Sequence, residues 1–371
     1  MRYIHQLAGW PDFRWDDGQL ARRLGPVRHR QGRLVGRMEA LGYDFRAHAT
    51  LRALTEEVVK SSDIEGEVLD DAQVRSSVAR QLGLEVAGLI PSDREVDGVV
   101  EMLLDATQKF AEPLTADRLA SWHAALFPTG RARMTKMTVG AWRTDASGPM
   151  QVVSGPIGRT RVHFEVPSAQ RLDAEMRGFL EWFNDEGQSF DPIIKAALAH
   201  LWFVTVHPFD DGNGRIARAI TDLALARSEQ SPQRFYSMSS QIRAERKTYY
   251  ETLESAQKGT LDVTEWLLWF LACLDRAFDR AETIVGSVLQ KARFWEAHGT
   301  APLNERQRAI LNRLLDGFEG KLTSSKWAKL AKCSQDTALR DIDDLVARGV
   351  LAKNQAGGRS TSYSLVLPPR Q

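Results

Sequence analysis

Within residues 207–218, HPFDDGNGRIAR, one histidine stands beside two aspartates, an asparagine sits between two glycines, and two arginines lie three apart. Small, flexible residues at 210–215, DDGNGR, let the backbone approach a ligand where one helix ends and the next begins. The new helix offers unpaired N–H groups and a positive dipole end, an anion site in outline. Arg215 adds a forked, permanently charged donor suited to phosphate, and Arg218 lies on a neighbouring part of the same helix face, so more than one phosphate is implied. Asp211 supplies a hard oxygen ligand of the kind that holds Mg²⁺, and His207 is the group here that readily takes a proton near neutral pH. Together these parts suit transfer of a phosphate-containing group from a nucleotide to a hydroxyl.

Singly, each residue has a plainer explanation. A Gly–Asn–Gly loop often only caps a helix, arginines in a first turn often form ion pairs, and a lone histidine is usually structural. In combination, HPFDDGNGRIAR resembles the signature HxFx[D/E]GNGRxxR of Fic-domain proteins, with every specified position present. The resemblance implies an enzyme that transfers AMP from ATP to a Ser, Thr or Tyr hydroxyl of a protein. It implies His207 as the general base and Asp211 as the residue holding Mg²⁺ at the α- and β-phosphates. Asn213, Arg215 and the amides of Gly212 and Gly214 would grip the phosphates, Arg218 would bind the γ-phosphate, and Phe209 would bury its ring and anchor the loop. Tyr249–Tyr250 resembles a Tyr–Tyr pair found near the family's adenine pocket, with Tyr250 as the contact.

Upstream, SSDIEGE (61–67) admits two interpretations. Ser62 with Glu65 three residues later forms a capping box at a helix start. Ser61-x-x-x-Glu65-Gly66 also resembles the family's inhibitory motif [S/T]xxxE[G/N], placed ahead of the signature as in members with an N-terminal inhibitory helix. On that resemblance Glu65 pairs with Arg218, denies it to the γ-phosphate and leaves the α-phosphate misaligned, so the transferase is self-inhibited.

Most of the chain that must position these groups reads as helices separated by Gly/Pro turns. Helical patterns cover 45–60, 70–81, two stretches within 93–126, 169–184, 192–206, 215–227, 242–257 and 263–290. Residues 150–166 break the pattern with β-branched residues around SGPIG and read as a hairpin, where the family has a flap that pairs main chain with the target segment. The basic stretch with Arg22, Arg23, Arg28, Arg30, Arg33 and Arg37 reads first as a solvated helix face. After residues 298–304, a linker by composition, three helices (305–318, 323–332, 334–350) and two strands resemble a winged helix-turn-helix. The expected class is mainly α: a helical N-terminal region over 1–100 with the inhibitory helix Ser61–Gly66, a Fic-type helical core with a β-hairpin flap over 101–295, and a winged helix-turn-helix domain over 304–371.

Composition sets outer limits. The 371 residues are 43% hydrophobic, enough for real cores, and 49 Lys+Arg against 48 Asp+Glu exclude a global charge preference for nucleic acid or membrane. Cys273 and Cys333 stand far apart without CxxC spacing, and the longest apolar run, 266–274, is too short for a bilayer span. No apolar leader stretch opens the sequence, and a cytoplasmic protein is expected. Basic excess is local: residues 300–371 carry 12 Lys+Arg against 7 Asp+Glu. A recognition helix from Ser334 would present Gln335, Thr337 and Arg340 to DNA, with Arg359 in the wing, but Asp336, Asp341, Asp343 and Asp344 on that helix would repel phosphates if they faced DNA. Winged helices also serve as protein-contact modules, so a homodimer stands beside DNA among the partners. The target protein is not named by the sequence, and self-modification is one outcome. Three rival functions stay open: a nucleotide-sensing DNA-binding regulator with little turnover, a hydrolase removing AMP in which Glu65 orients water, and a transferase of a different phosphate-containing group.

Overall fold

The structure, a computed structural model, describes residues 2–40, 42–86, 88–132, 135–146, 148–154, 161–298, 302–315, 320–354 and 361–367. The chain divides into two compact units, Met1–Ala281 and Glu282–Gln371. In the first, helices α1 (Asp17–Glu39), α2 (Tyr43–Ile64), α3 (Asp71–Gln81), α4 (Arg94–Gln108) and α5 (Ala116–Leu126) precede two antiparallel pairs, β1 (Arg131–Ala132) with β2 (Thr135–Lys136) and β3 (Gln151–Ser154) with β4 (Arg161–Glu165). Helices α6 (Leu172–Asn184), α7 (Pro192–Val206), α8 (Asn213–Glu229), α9 (Met238–Ala244) and α10 (Arg246–Lys258) follow, and α11 (Thr264–His298) leads into the second unit. No helix of the described residues is long and apolar enough to cross a membrane.

Helix α7 is the axis of the first unit. Its sequence is apolar all round, and every residue from Ile193 to Val206 except Lys195 is buried, the pattern of a helix enclosed by others. Asp191 caps it by accepting from the Ile193 amide at 2.7 Å, with Pro192 in the first turn where no N–H is missed. Beside it lies α8, buried from Ile216 to Ala226, and the loop between the two carries the signature.

The N-terminal helices close over this pair. Arg28 of α1 holds the Asp191 carboxylate through two 2.8 Å bonds, and Arg30 pairs with Asp275. At least two of the six arginines in that basic stretch are therefore turned to the protein rather than to solvent. Helix α2 continues past Lys60 to Ile64, so Ser61 and Ser62 lie in its last turn. The capping-box interpretation fails there because the segment ends a helix rather than starting one. The segment 242–257 is two helices, since the chain turns at Glu245 between α9 and α10. The β3–β4 hairpin pairs Gln151 with Glu165 and shifts register between Val152 and Val153, while its SGPIG turn lies outside the described residues. Phe164 is buried against Tyr3 and His5, which ties the hairpin to the unit.

The second unit has its own core of Phe294, Leu303, Ile310, Leu311, Leu322, Trp327, Ala338, Ile342, Leu345, Val350 and Leu351. Helices α12 (Glu305–Leu315), α13 (Ser324–Ala331) and α14 (Gln335–Ala347) precede an antiparallel pair, β5 (Leu351–Lys353) with β6 (Tyr363–Leu365). Thr323 and Ser334 cap α13 and α14 with their hydroxyls, as their placement before apolar periodic stretches suggests. Arg359 lies outside the described residues.

Helices α4 and α5 meet so closely that a Cβ on Gly98 would stand 1.9 Å from the Ala125 carbonyl oxygen. Gly98→Ala is therefore expected to lower stability by about 2 kcal/mol through overpacking, against the gain of up to about 1 kcal/mol that helix propensity alone would give. A thermal midpoint above that of the wild type would contradict the close approach.

Candidate active site

The end of α7 aims the histidine. Val206 is the last helical residue, and His207 adopts φ 53° and ψ 59°, a left-handed conformation that a non-glycine residue holds only at a cost of about 1 kcal/mol or more. The Val204 carbonyl accepts from Nδ1 at 3.2 Å, which places the ring proton there and leaves the lone pair on Nε2. No described residue occupies Nε2. Burial, with Arg143 nearby, outweighs the Val204 hydrogen bond and pushes the His207 pKa down to about 4. The ring is thus a neutral acceptor at physiological pH.

The loop after it is held by its own side chains. Asn213 accepts from the Phe209 amide at 3.0 Å and donates to the Phe209 carbonyl at 2.7 Å, so both ends of its side-chain amide clasp the loop. Phe209 is fully buried and stacks on His123 at 4.2 Å between ring centroids. Gly212 has φ +79°, and a Cβ there would lie 2.9 Å from the Phe127 ring, so only glycine fits. Asp211 is exposed, with Oδ1 accepting from the Gly212 amide at 2.6 Å. A single exposed carboxylate suits Mg²⁺, which takes most of its ligands from phosphate and water, and the described residues contain no cluster of three or more metal-ligating side chains. The residues present fit an ion that arrives with a polyphosphate.

Both signature arginines are buried in the first turns of α8, and both are met by carboxylates from one turn at the end of α2. Arg218 donates from Nε to the Ser61 hydroxyl at 2.8 Å, and from one terminal nitrogen to the Ser61 carbonyl at 2.9 Å and Glu65 at 2.8 Å. Burial disfavours its charge, but Glu65 and the neighbouring tyrosines more than offset this and raise its pKa. Arg215 pairs with Glu67 and lies over the Phe127 ring at 5.1 Å. The other terminal nitrogen of Arg218, Nη1, and the Nε of Arg215 are buried and find no partner among the described residues. The turn itself is a Schellman motif: Gly66 has φ +81°, its amide reaches the Asp63 carbonyl at 3.1 Å, and the Glu67 amide reaches the Ser62 carbonyl at 3.0 Å. Arg243 fixes the turn from outside through Asp63 at 2.8 Å.

Glycine at 214 makes room for the contact, since a Cβ there would stand 2.2 Å from Oε1 of Glu65. Tyr250 is exposed, with its hydroxyl 3.5 Å from the Ile64 carbonyl, so it stands beside the same turn, whereas Tyr249 is buried and bonds His200 at 2.9 Å. The structure therefore brings together His207, Asp211, Gly212, Asn213, Gly214, Arg215, Arg218, Glu65 and Tyr250 around one helix junction. Sequence reasoning missed Arg143, a buried side chain that donates to the His207 carbonyl at 2.8 Å and fixes the strained turn. It also missed Glu67, whose only signal was an acidic residue two places beyond Glu65. Cavities of about 370 and 840 Å³ elsewhere in the unit include no signature residue, and the space beside Arg215 and Arg218 is about 10 Å³.

Comparison with known proteins agrees with this geometry. Residues 113–225 match the Fic/DOC family, and residues 3–84 match a domain of unknown function (DUF4172). The chain is 31% identical over 199 residues to protein adenylyltransferase fic-1 of Caenorhabditis elegans, covering 53% of this chain and 35% of that one. It is 25% identical over 256 residues to protein adenylyltransferase Fic of Drosophila grimshawi, covering 65% and 46%. The chain thus spans about a third to a half of the length of these curated relatives. A crystal structure of a Fic family protein from Desulfovibrio desulfuricans G20 matches with a TM-score of 0.52 at 19% identity, covering 94% of this chain and 97% of that one. A Fic domain containing signaling protein from Bacteroides thetaiotaomicron gives 0.52 at 20% identity, covering 70% and 97%. At these identities the two structures share the fold.

Burial also pushes His200 down to about 3, from an ordinary value of 6.5. At pH 7 these rings are neutral in both folded and unfolded chains; below pH 6.5 the unfolded chain binds protons that the folded chain refuses, so stability is lost as pH falls. A ring as buried as His200 costs about 2 kcal/mol by pH 5. The thermal midpoint is expected to drop between pH 7 and pH 5, and to drop less in His207→Asn; equal drops would mean that His207 is not depressed.

Proposed function

We propose that this chain, which carries a Fic/DOC family domain, transfers AMP from ATP to a Ser, Thr or Tyr hydroxyl of a protein and is held in check by Glu65. The observation that carries the proposal is the neutral, unoccupied Nε2 of His207 at the mouth of a helix N-terminus that holds two buried arginines. The target oxygen attacks the α-phosphorus, its proton passes to Nε2, and the bond from the α-phosphorus to the oxygen bridging the β-phosphate breaks to release pyrophosphate. The Gly212 and Gly214 amides and Arg215 line the phosphate path, and Arg218 takes the terminal phosphate. Asn213 keeps the loop in shape through Phe209 rather than by offering a free donor. Asp211 would hold Mg²⁺, whose charge neutralises the phosphates when bound. The exposed ring of Tyr250 offers a stacking face for adenine. Val153 and Val162, exposed on the β3–β4 hairpin, leave a strand surface on which a target segment can pair its main chain.

The restraint follows from geometry. With Glu65 on Arg218, a terminal phosphate must compete with a carboxylate for that guanidinium, and misplacing the α-phosphate by an ångström costs about 10²-fold in rate. Label from α-labelled ATP, followed into protein in a lysate and into the chain itself, tests both parts. Glu65→Gly is expected to raise labelling over wild type by at least about tenfold, and Glu65→Gly/His207→Ala to lose it by about 10²-fold or more. Equal labelling by wild type and Glu65→Gly would refute the restraint. ATP binding without labelling in all three would favour a nucleotide sensor or AMP removal.

A second activity, duplex DNA binding, is favoured by one observation in the C-terminal unit. Asp341 is buried and held by Asn304 and Arg306, and the half-exposed Asp344 is paired with Arg348 and Gln307, so two of the four acids on α14 have their charge or hydrogen bonds met within the unit. Gln335, Leu339 and Arg340 remain on the outer face with Asp336 and Asp343. Fluorescence anisotropy of a labelled duplex at rising salt is expected to give a falling affinity that Arg340→Ala weakens further, reducing the salt slope by about one. No retention at low salt would leave the unit a protein-contact module.

A further inference from the structure

Glu67 takes no part in the mechanism above, yet it makes the one ion pair of Arg215 among the described residues. We propose that Glu67 is a second gate of the nucleotide site: it occupies Arg215 as Glu65 occupies Arg218, and a polyphosphate must displace both carboxylates. The inference rests on the loop being a nucleotide site. The Arg215 side chain is 3% exposed, has Phe127 beneath its guanidinium, and sits in the first turn of α8, so it cannot swing out to water when its partner leaves. A buried guanidinium stripped of its carboxylate strongly favours another anion in its place. The carboxylate is the mobile member: the Glu67 side chain is 34% exposed and Val68 after it is 90% exposed, so the chain can move aside at low cost.

The two carboxylates are mechanically tied. The Glu65 and Glu67 amides both bond the Ser62 carbonyl, each at 3.0 Å, on either side of Gly66 at φ +81°. One turn thus presents two negative side chains to two guanidiniums one helical turn apart, and distorting the turn loosens both. A diphosphate and a triphosphate should respond differently to their removal. Where Arg218 serves the terminal phosphate of ATP, ADP competes mainly with Glu67, while ATP competes with both carboxylates.

Calorimetric titration of ADP and of ATP into wild type, Glu67→Gln, Glu65→Gly and the double variant reads this directly. Glu67→Gln is expected to tighten ADP about tenfold, Glu65→Gly to tighten ATP more than ADP, and the double variant to bind ATP most tightly. ADP affinity unchanged within about twofold in Glu67→Gln, with only the thermal midpoint lowered, would overturn the gate and leave Glu67 as a structural tether between α2 and α8. If Glu67→Gln fails to fold, Glu67→Asp, which keeps the charge but shortens its reach, is expected to tighten ADP in the same direction, and no tightening overturns the gate. Binding is read without transfer: tighter ADP in a protein that labels nothing would sink the proposed transferase and keep the gate, and labelling with unchanged ADP affinity would do the reverse.

Discussion

Two guanidinium groups buried in the first turns of a single helix demand negative charge, and much of the unit around them answers that demand. Arg215 and Arg218 cannot be neutralised by losing a proton at any pH the protein meets, so something anionic must stand beside each. In this structure the end of α2 does so, with Glu67 and Glu65 supplied from a turn whose backbone bonds fix both. The same geometry that holds the carboxylates is what a polyphosphate would use. On the proposed function, resting structure and nucleotide would therefore compete for one pair of charges.

The charge also shapes the histidine beside it. His207 ends a largely buried helix in a left-handed turn, and Arg143 grips its carbonyl, so its ring is fixed by backbone rather than by a carboxylate partner. No acid orients Nδ1; a main-chain carbonyl does, at 3.2 Å. A histidine so placed stays uncharged and offers one lone pair in one direction. Its basicity is low, which under the proposed function suits a group that removes a proton only as the oxygen–phosphorus bond forms.

The arginines and the carboxylates that meet them come from different parts of the chain. Arg215 and Arg218 lie within residues 113–225, the Fic/DOC match, whereas Ser61, Glu65 and Glu67 lie within 3–84, the match to a domain of unknown function. Helix α2 reaches the signature because α1 is clamped at Arg28 to the cap of α7 and Asp63 is clamped to α9. The N-terminal segment thus belongs to the site physically, as the source of its resting anions.

The sequence by itself carried the signature, because eight residue types at fixed spacing around one helix junction are a local pattern: the glycines, the histidine and the two arginines act within a dozen residues. It carried the mainly helical class, with a helix over 192–206 leading into the signature, because the patterns that mark a helix are local. It favoured an inhibitory motif over a capping box in SSDIEGE, and only the run of α2 on to Ile64 rules out the helix start. Only the tertiary structure decided that Glu67 faces Arg215, that Arg143 braces His207 across 64 residues, and that Asn213 spends its amide on Phe209. The first two depend on where distant segments of the chain come to rest, whereas the Asn213–Phe209 clasp spans four residues and depends on the conformation of the loop. An acid and an arginine at unremarkable spacings carry no signal until the fold brings the opposite charge and the open backbone group within three ångströms of them.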